Sequence, residues 1–145
     1  MICLDSFALI AFLADEGVAA AEVSGMLRST AAMSAVNLAE TYDVLLRRLQ
    51  QSEVVVQRAV EDLSMRGRLQ IIPAAEALGQ MAGRLRAQHY QRSDRPLSLG
   101  DCFALATCVS MGFELATADA PLAAVARFLG LDVVPLPDSA GTRPG

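Results

Sequence analysis

Asp5, Glu40, Asp101 and Asp119 are acids set against apolar segments of this 145-residue chain, where a carboxylate is least expected. Asp5 interrupts MICLDSFALIAFL, the hydrophobic opening of the molecule. A buried, unpaired carboxylate costs several kcal/mol or neutralises itself, so each acid needs a partner or a purpose. Brought together, four carboxylates repel one another and raise each other's pKa until a cation neutralises them. Oxygen donors without His or Cys suit a hard divalent ion, Mg²⁺ or Mn²⁺. Such an ion acidifies a bound water and stabilises a leaving oxygen, which is the chemistry of phosphodiester hydrolysis.

Other catalytic chemistries have little to work with. His89, the one histidine, lies in a polar helical segment and reads as a surface residue rather than a ligand. That speaks against zinc and against Ser/His/Asp or Cys/His catalysis, both of which would rest on it. No GxxxxGK[ST] phosphate loop is present. Cys3, Cys102 and Cys108 fit neither a zinc spacing nor a disulfide framework and read as inert buried thiols.

Alternating strands and helices must position the acids. ICLD, AAMS, LQII, FELAT and LDVVPL read as short strands. Helical patterns fill the intervals: SFALIAFLADEG with Ser6 as N-cap and Gly17 as terminator, VAAAEVSGMLRS, SAVNLAETYDVLLRRLQ, SEVVVQRAVEDLSMRG capped by Ser52, AAEALGQMAGRLRAQHYQR, LSLGDCFALATCVSMG capped by Ser98, and APLAAVARFLG. This order predicts an α/β fold, one domain around a central, mostly parallel sheet flanked by helices. Ligands of such sheets bind at the carboxyl ends of the strands. Asp5 ends the first strand and Asp119 follows the fourth, so both point to that edge. Glu40 and Asp101 sit early in helices that follow AAMS and Ser98.

Each acid also has a local explanation. Ser98-Leu99-Gly100-Asp101 fits a capping box with Asp for Glu, and Asn37-Leu38-Ala39-Glu40 fits the same pattern. Asp119 can cap the last helix, and Asp5 can form an Asx-turn. Any one of these is ordinary; all four at one sheet edge are not.

Composition bounds the rest. The chain is 53% hydrophobic and 19% charged, without Trp, so its core is aliphatic. The N-terminus lacks a positive n-region and the run SFALIAFLA is too short to span a bilayer, so a soluble, cytoplasmic protein with no membrane partner is expected. Every basic residue is Arg. Ten of the 12 lie between Arg28 and Arg95 against seven acids, while the remainder has two Arg and nine acids. The chain thus pairs an Arg-rich middle, suited to phosphates, with acidic ends. The high apolar content predicts a homodimer, with VAAAEVSGMLRS and SEVVVQRAVEDLSM as contact elements.

LDSFALIAFL, SAVNLAETYDVLLRR, PLSLGDCFALATCVSMG and FELATAD, in that order, resemble a PIN-domain ribonuclease, most closely the VapC toxins of bacterial toxin–antitoxin pairs. The resemblance covers residues 1–136, taken as a PIN-like nuclease domain, and leaves 137–145 as a disordered tail. The family's acids fall on Asp5, Glu40, Asp101 and Asp119, with Ser6 and Thr117 as accompanying hydroxyls. It implies Mg²⁺- or Mn²⁺-dependent endoribonuclease activity on RNA, a homodimer and a cognate antitoxin. Asp5 and Asp101 are expected as direct metal ligands, and Glu40 and Asp119 through water or a second ion. Members commonly carry a basic and an aromatic residue after TAD; Ala120, Pro121 and Leu122 stand here instead.

Three other readings compete. One is a PIN-like interaction module that has lost catalysis. A phosphoryl transferase with an aspartyl nucleophile would want an acid two residues after Asp5, where Phe7 sits. A receiver domain would want a Lys, and the chain has none.

Overall fold

In the computed structural model, which describes residues 1–15 and 17–145, the sheet has five strands, all parallel, in the order β3-β2-β1-β4-β5. The strands are β1 (Ile2–Leu4), β2 (Ala31–Ser34), β3 (Leu69–Ile72), β4 (Glu114–Thr117) and β5 (Val133–Pro135). Seven helices connect them among the described residues: α1 (Ser6–Ala14), α2 (Gly17–Met26), α3 (Ala35–Asp43), α4 (Glu53–Met65), α5 (Glu76–His89), α6 (Leu99–Met111) and α7 (Ala120–Phe128). The α/β architecture expected from the sequence is the one observed.

Both sheet faces are covered, so the strands read as continuous apolar runs rather than alternating ones. Cys3 and Leu115 face a core built with α5, α6 and α7 through Ala82, Leu85, Cys102, Leu105 and Val125. Leu4 and Ala116 face the other core, with Leu9, Val23 and Leu63 from α1, α2 and α4 and Leu27 just after α2. All three cysteines are free and buried, as expected.

Several boundaries differ from the sequence reading. Asp5, not Ser6, caps α1, accepting the Ala8 N–H at 2.8 Å, so Ser6 becomes the first helical residue. Helix α1 ends in a left-handed Asp15. Ser34 caps α3, its hydroxyl accepting the Asn37 N–H at 3.1 Å, so Asn37 and Glu40 do not form the expected capping box. The helix α3 continues into a π-helical turn over Val44–Arg48, closed by Leu49 N–H to the Val44 carbonyl. His89 is buried, its ring packed edge-on against Phe128 with centroids 5.5 Å apart; it is not a surface residue. Residues 137–145, set apart as a tail by sequence, fold back: Arg143 pairs with Glu22 of α2 and donates to the Pro135 carbonyl at 2.7 Å. Among the described residues no helix is long and apolar enough to cross a membrane.

Candidate active site

The chain crosses from one side of the sheet to the other at its middle: β1 neighbours β2 on one flank and β4 on the other. Such a switch point leaves a crevice at the carboxyl ends of the strands. Asp5 follows the end of β1, and its N–H donates to the Ala116 carbonyl of β4 at 3.2 Å. Asp119 follows β4, its N–H bound by the Thr117 hydroxyl at 3.0 Å. The same hydroxyl acts on the Asp5 carboxyl from the neighbouring strand end, pulling its pKa down against the effect of burial.

The three aspartates all sit at helix N-termini. Asp5 caps α1, Asp119 caps α7 through the Leu122 N–H at 2.7 Å, and Asp101 closes the capping box of α6. In that box the Asp101 carboxylate accepts the Ser98 N–H at 2.8 Å and the Ser98 hydroxyl accepts the Asp101 N–H at 3.0 Å. The local roles foreseen for Asp101 and Asp119 therefore hold, and they coexist with the clustering. A helix N-terminus carries a partial positive charge, which offsets part of the cost of each carboxylate.

Glu40 is held differently. The Ser6 hydroxyl and the Asn37 amide both donate to its Oε2, the amide at 3.3 Å. The same amide donates to the Gly100 carbonyl at 3.1 Å, so Asn37 links α3 to the first turn of α6. A Cβ on Gly100 would overlap the Glu40 carboxylate itself. Glycine here leaves the Glu40 carboxylate its place; a larger residue would require that carboxylate to move. By sequence Ser6 reads as the cap of α1; the structure gives its hydroxyl to Glu40. By sequence Asn37 reads only as a helix cap and Gly100 only as a spacer in a capping box; their place beside Glu40 is not foreseen. A glycine inside the first turn of an apolar helix, with no turn to make, is the signal that could have marked a close approach.

Electrostatics sets these acids apart. Burial, then the charges of Asp101 and Asp119, pushes the Asp5 carboxyl up to about 7, against the pull of the Thr117 hydroxyl and the Ala8 N–H. Asp101 is raised as well, first by burial, then by repulsion from Asp119 and Glu40, while the Ser98 bonds oppose it. The neighbouring Cys102 thiol is pushed up to about 11, by burial and by the Asp101 charge, so it stays protonated. Among the described residues none of the four acids has an Arg partner; the ion pairs are Arg47–Asp43, Arg66–Asp62 and Arg143–Glu22.

The donor set, all carboxylate oxygen with no imidazole or thiolate, fits a hard divalent cation. The geometry is not closed around one. Among the described residues, no three His, Cys, Asp or Glu side chains stand close enough together to enclose an ion. Asp5 and Asp101 are near enough to the neighbouring acids to feel their charge.

Of the arginines expected to meet phosphate, Arg47 is paired with Asp43 and Arg86 lies 4.5 Å over the Tyr90 ring. Arg48, Arg84 and Arg92 are exposed, Arg95 half-buried, and among the described residues none of these four is in an ion pair.

A PIN domain family model matches residues 2–128. No curated protein matches by sequence. Solved structures do match by shape. The Mycobacterium tuberculosis VapC20, a sarcin–ricin-loop-cleaving toxin, superposes with a TM-score of 0.69 at 20% identity, covering 86% of this chain and 94% of that one. A toxin–antitoxin complex from Klebsiella pneumoniae gives 0.60 at 22% identity, covering 83% and 88%. VapBC2 from Rickettsia felis, bound to a DNA fragment of its promoter, gives 0.60 at 19%, covering 92% and 98%.

Proposed function

This chain belongs to the PIN-domain family, and from that premise we propose that it is a metal-dependent endoribonuclease, the toxin of a toxin–antitoxin pair. The observation that carries the reading is the set of mutually repelling carboxylates at the switch point, left without Arg partners in a chain with 12 arginines. Asp5 and Asp101 would hold Mg²⁺ or Mn²⁺ directly, with Glu40 and Asp119 acting through water or a second ion. Bound there, the ion supplies an acidified water and charge for the leaving oxygen.

The chain's own residues do the remaining work. The Ala8 N–H holds the Asp5 carboxylate through Oδ1, leaving its other oxygen for a ligand. Ser6 and Asn37 fix Glu40. The capping bonds of Asp101 and Asp119 each engage one carboxylate oxygen, Oδ2 and Oδ1 respectively, leaving the other oxygen for a ligand. Exposed arginines of α5 and the loop after it would hold phosphates flanking the scissile bond. Single-stranded or looped RNA fits best, because its backbone can bend into a recessed acidic edge. Structures similar in fold are toxin–antitoxin complexes, which supports a protein antitoxin as partner. Val54 and Val55 of α4 and Val18 of α2 are exposed, which supports a homodimer through the helices named from sequence.

A second reading, the catalytically inactive PIN-like interaction module, is favoured by one observation: among the described residues no three acids stand close enough to hold an ion. RNA cleavage by the full chain, with EDTA and with Mg²⁺ or Mn²⁺, separates the two. Cleavage that EDTA abolishes and Mn²⁺ restores supports the nuclease. Full activity in EDTA removes the metal mechanism, and no cleavage with either ion leaves the interaction module.

A further inference from the structure

The cleft between the end of α5 and the start of α6 has a volume of about 310 Å³ and is lined by Gly83, Arg86, Ala87, Tyr90 and Leu99. Its walls are small or flat, and two of them, Tyr90 and Leu99, are large apolar side chains exposed to 42% and 56%. Exposing a tyrosine is conspicuous in a chain with only two. The ring is not loose. The Arg86 guanidinium lies 4.5 Å over it, and the Arg86 Nε donates to the Leu97 carbonyl at 3.0 Å. The loop that leads into α6 thus fixes the arginine, and the arginine fixes the ring. Leu99 opens α6, and Asp101, a candidate metal ligand, follows two residues later in the same first turn. Arg84, Arg92 and Arg95 surround it in sequence.

We propose that this cleft is a nucleobase subsite, where a base flanking the scissile phosphate extends the Arg86–Tyr90 stack against Leu99. The proposal rests on the ribonuclease reading and names how that substrate is gripped. The occupant follows from the chemistry: a preorganised aromatic–guanidinium pair is a platform for any π-face, and the nearby arginines match the phosphates on either side of the base. Stacking of this kind tolerates sequence, so the subsite would add affinity without choosing among bases.

The test uses the full chain carrying Asp5→Asn, so that bound RNA stays intact, with Mg²⁺ present. Fluorescence anisotropy compares a short oligo-uridylate with the same sugar–phosphate chain lacking bases. The Asp5→Asn chain should bind the based strand about tenfold more tightly. Adding Tyr90→Ala should collapse that ratio, and Tyr90→Phe should preserve it. If Tyr90→Ala leaves the ratio unchanged, or weakens both strands equally, the subsite is overturned while the ribonuclease reading stands. If the Asp5→Asn chain binds no RNA at all, both fall. A melting curve and light scattering accompany each variant; a Tyr90→Ala chain that unfolds or changes from dimer to monomer assigns the pair to folding or self-association and also overturns the subsite, provided Tyr90→Phe behaves likewise.

Discussion

Two sets of carboxylates in this molecule have opposite fates. On the helix flanks, Asp43 sits under a two-pronged Arg47 contact at 2.9 and 2.7 Å, and that bond holds its carboxyl below the usual range. Arg143 does the same for Glu22. At the sheet edge, burial and neighbouring acids drive Asp5 and Asp101 upward. The residue type is the same; the compensation differs. Flank acids receive a cation from the chain. Edge acids receive only hydroxyls, amides and helix N-termini, which orient a carboxylate without cancelling its charge. The remaining charge is available to something from outside.

The strongest way to break the contrast is to neutralise each set in turn. Asp5→Asn or Asp101→Asn should cut RNA cleavage a hundredfold or more, the scale of several kcal/mol of transition-state stabilisation, while Asp43→Asn leaves it unchanged. Single-turnover rates on one RNA would show this; equal losses at edge and flank would dissolve the distinction.

Next in size is a dependence on pH. A group whose folded pKa is raised contributes stability that is complete below its unfolded pKa and lost as pH rises through the folded one. For Asp5 that window runs from about 4, the unfolded value, to about 7. Metal-free protein should therefore gain about 2–3 kcal/mol from this group between pH 8 and pH 5, and Asp101 acts in the same direction. Thermal melts in EDTA measure it. Asp5→Asn should flatten the slope and melt higher than the parent at pH 8. With saturating Mg²⁺ at pH 8 the order should reverse, because only the parent gains full binding energy from the ion.

A smaller effect sharpens the contrast inside the edge itself. Gly100→Ala should displace Glu40 from Ser6 and Asn37 and slow cleavage about tenfold. In metal-free melts it should lower stability by about 1 kcal/mol, the worth of one or two hydrogen bonds. In a Glu40→Ala background the same change should be neutral or stabilising, since alanine favours the helix. A loss of equal size in both backgrounds would mean that Gly100 does not make room for Glu40. Smallest of all, Arg47→Ala should move the melting temperature by about a degree or less, because exposed pairs contribute little.

How much of this was legible in the sequence depends on the range of the interaction. Strands and helices were readable because caps and apolar spacing are local signals; Ser98, Gly112 and Pro121 sit where the pattern puts them. The four acids were readable because each interrupts an apolar run. The holding of Glu40 was not, since Asn37 and Gly100 lie 63 residues apart and meet only when α3 packs on α6. His89 was misplaced for the same reason. Its own helix is polar, and the Phe128 that covers it belongs to α7. Ser6 reads as the cap because it stands one residue from Asp5, which holds that role, while its own partner, Glu40, lies 34 residues away.

The order of strands has a temporal consequence. The central strand, β1, precedes both of its neighbours in the chain, and one of them, β4, begins only at Glu114. Non-local pairing of this kind is slow to form, and it cannot start until the partner strand exists. At about 5–20 residues per second, Asp5 waits several seconds for Asp119 to be made. Any chain arrested before β4 leaves the ribosome with half an edge and no means to finish it. Arrested nascent chains of increasing length should therefore stay inert until residues beyond Asp119 have emerged, and activity in a shorter chain would show that the central pairing is dispensable. The edge thus assembles late: until β4 has emerged, its two halves are separated in time as well as in sequence.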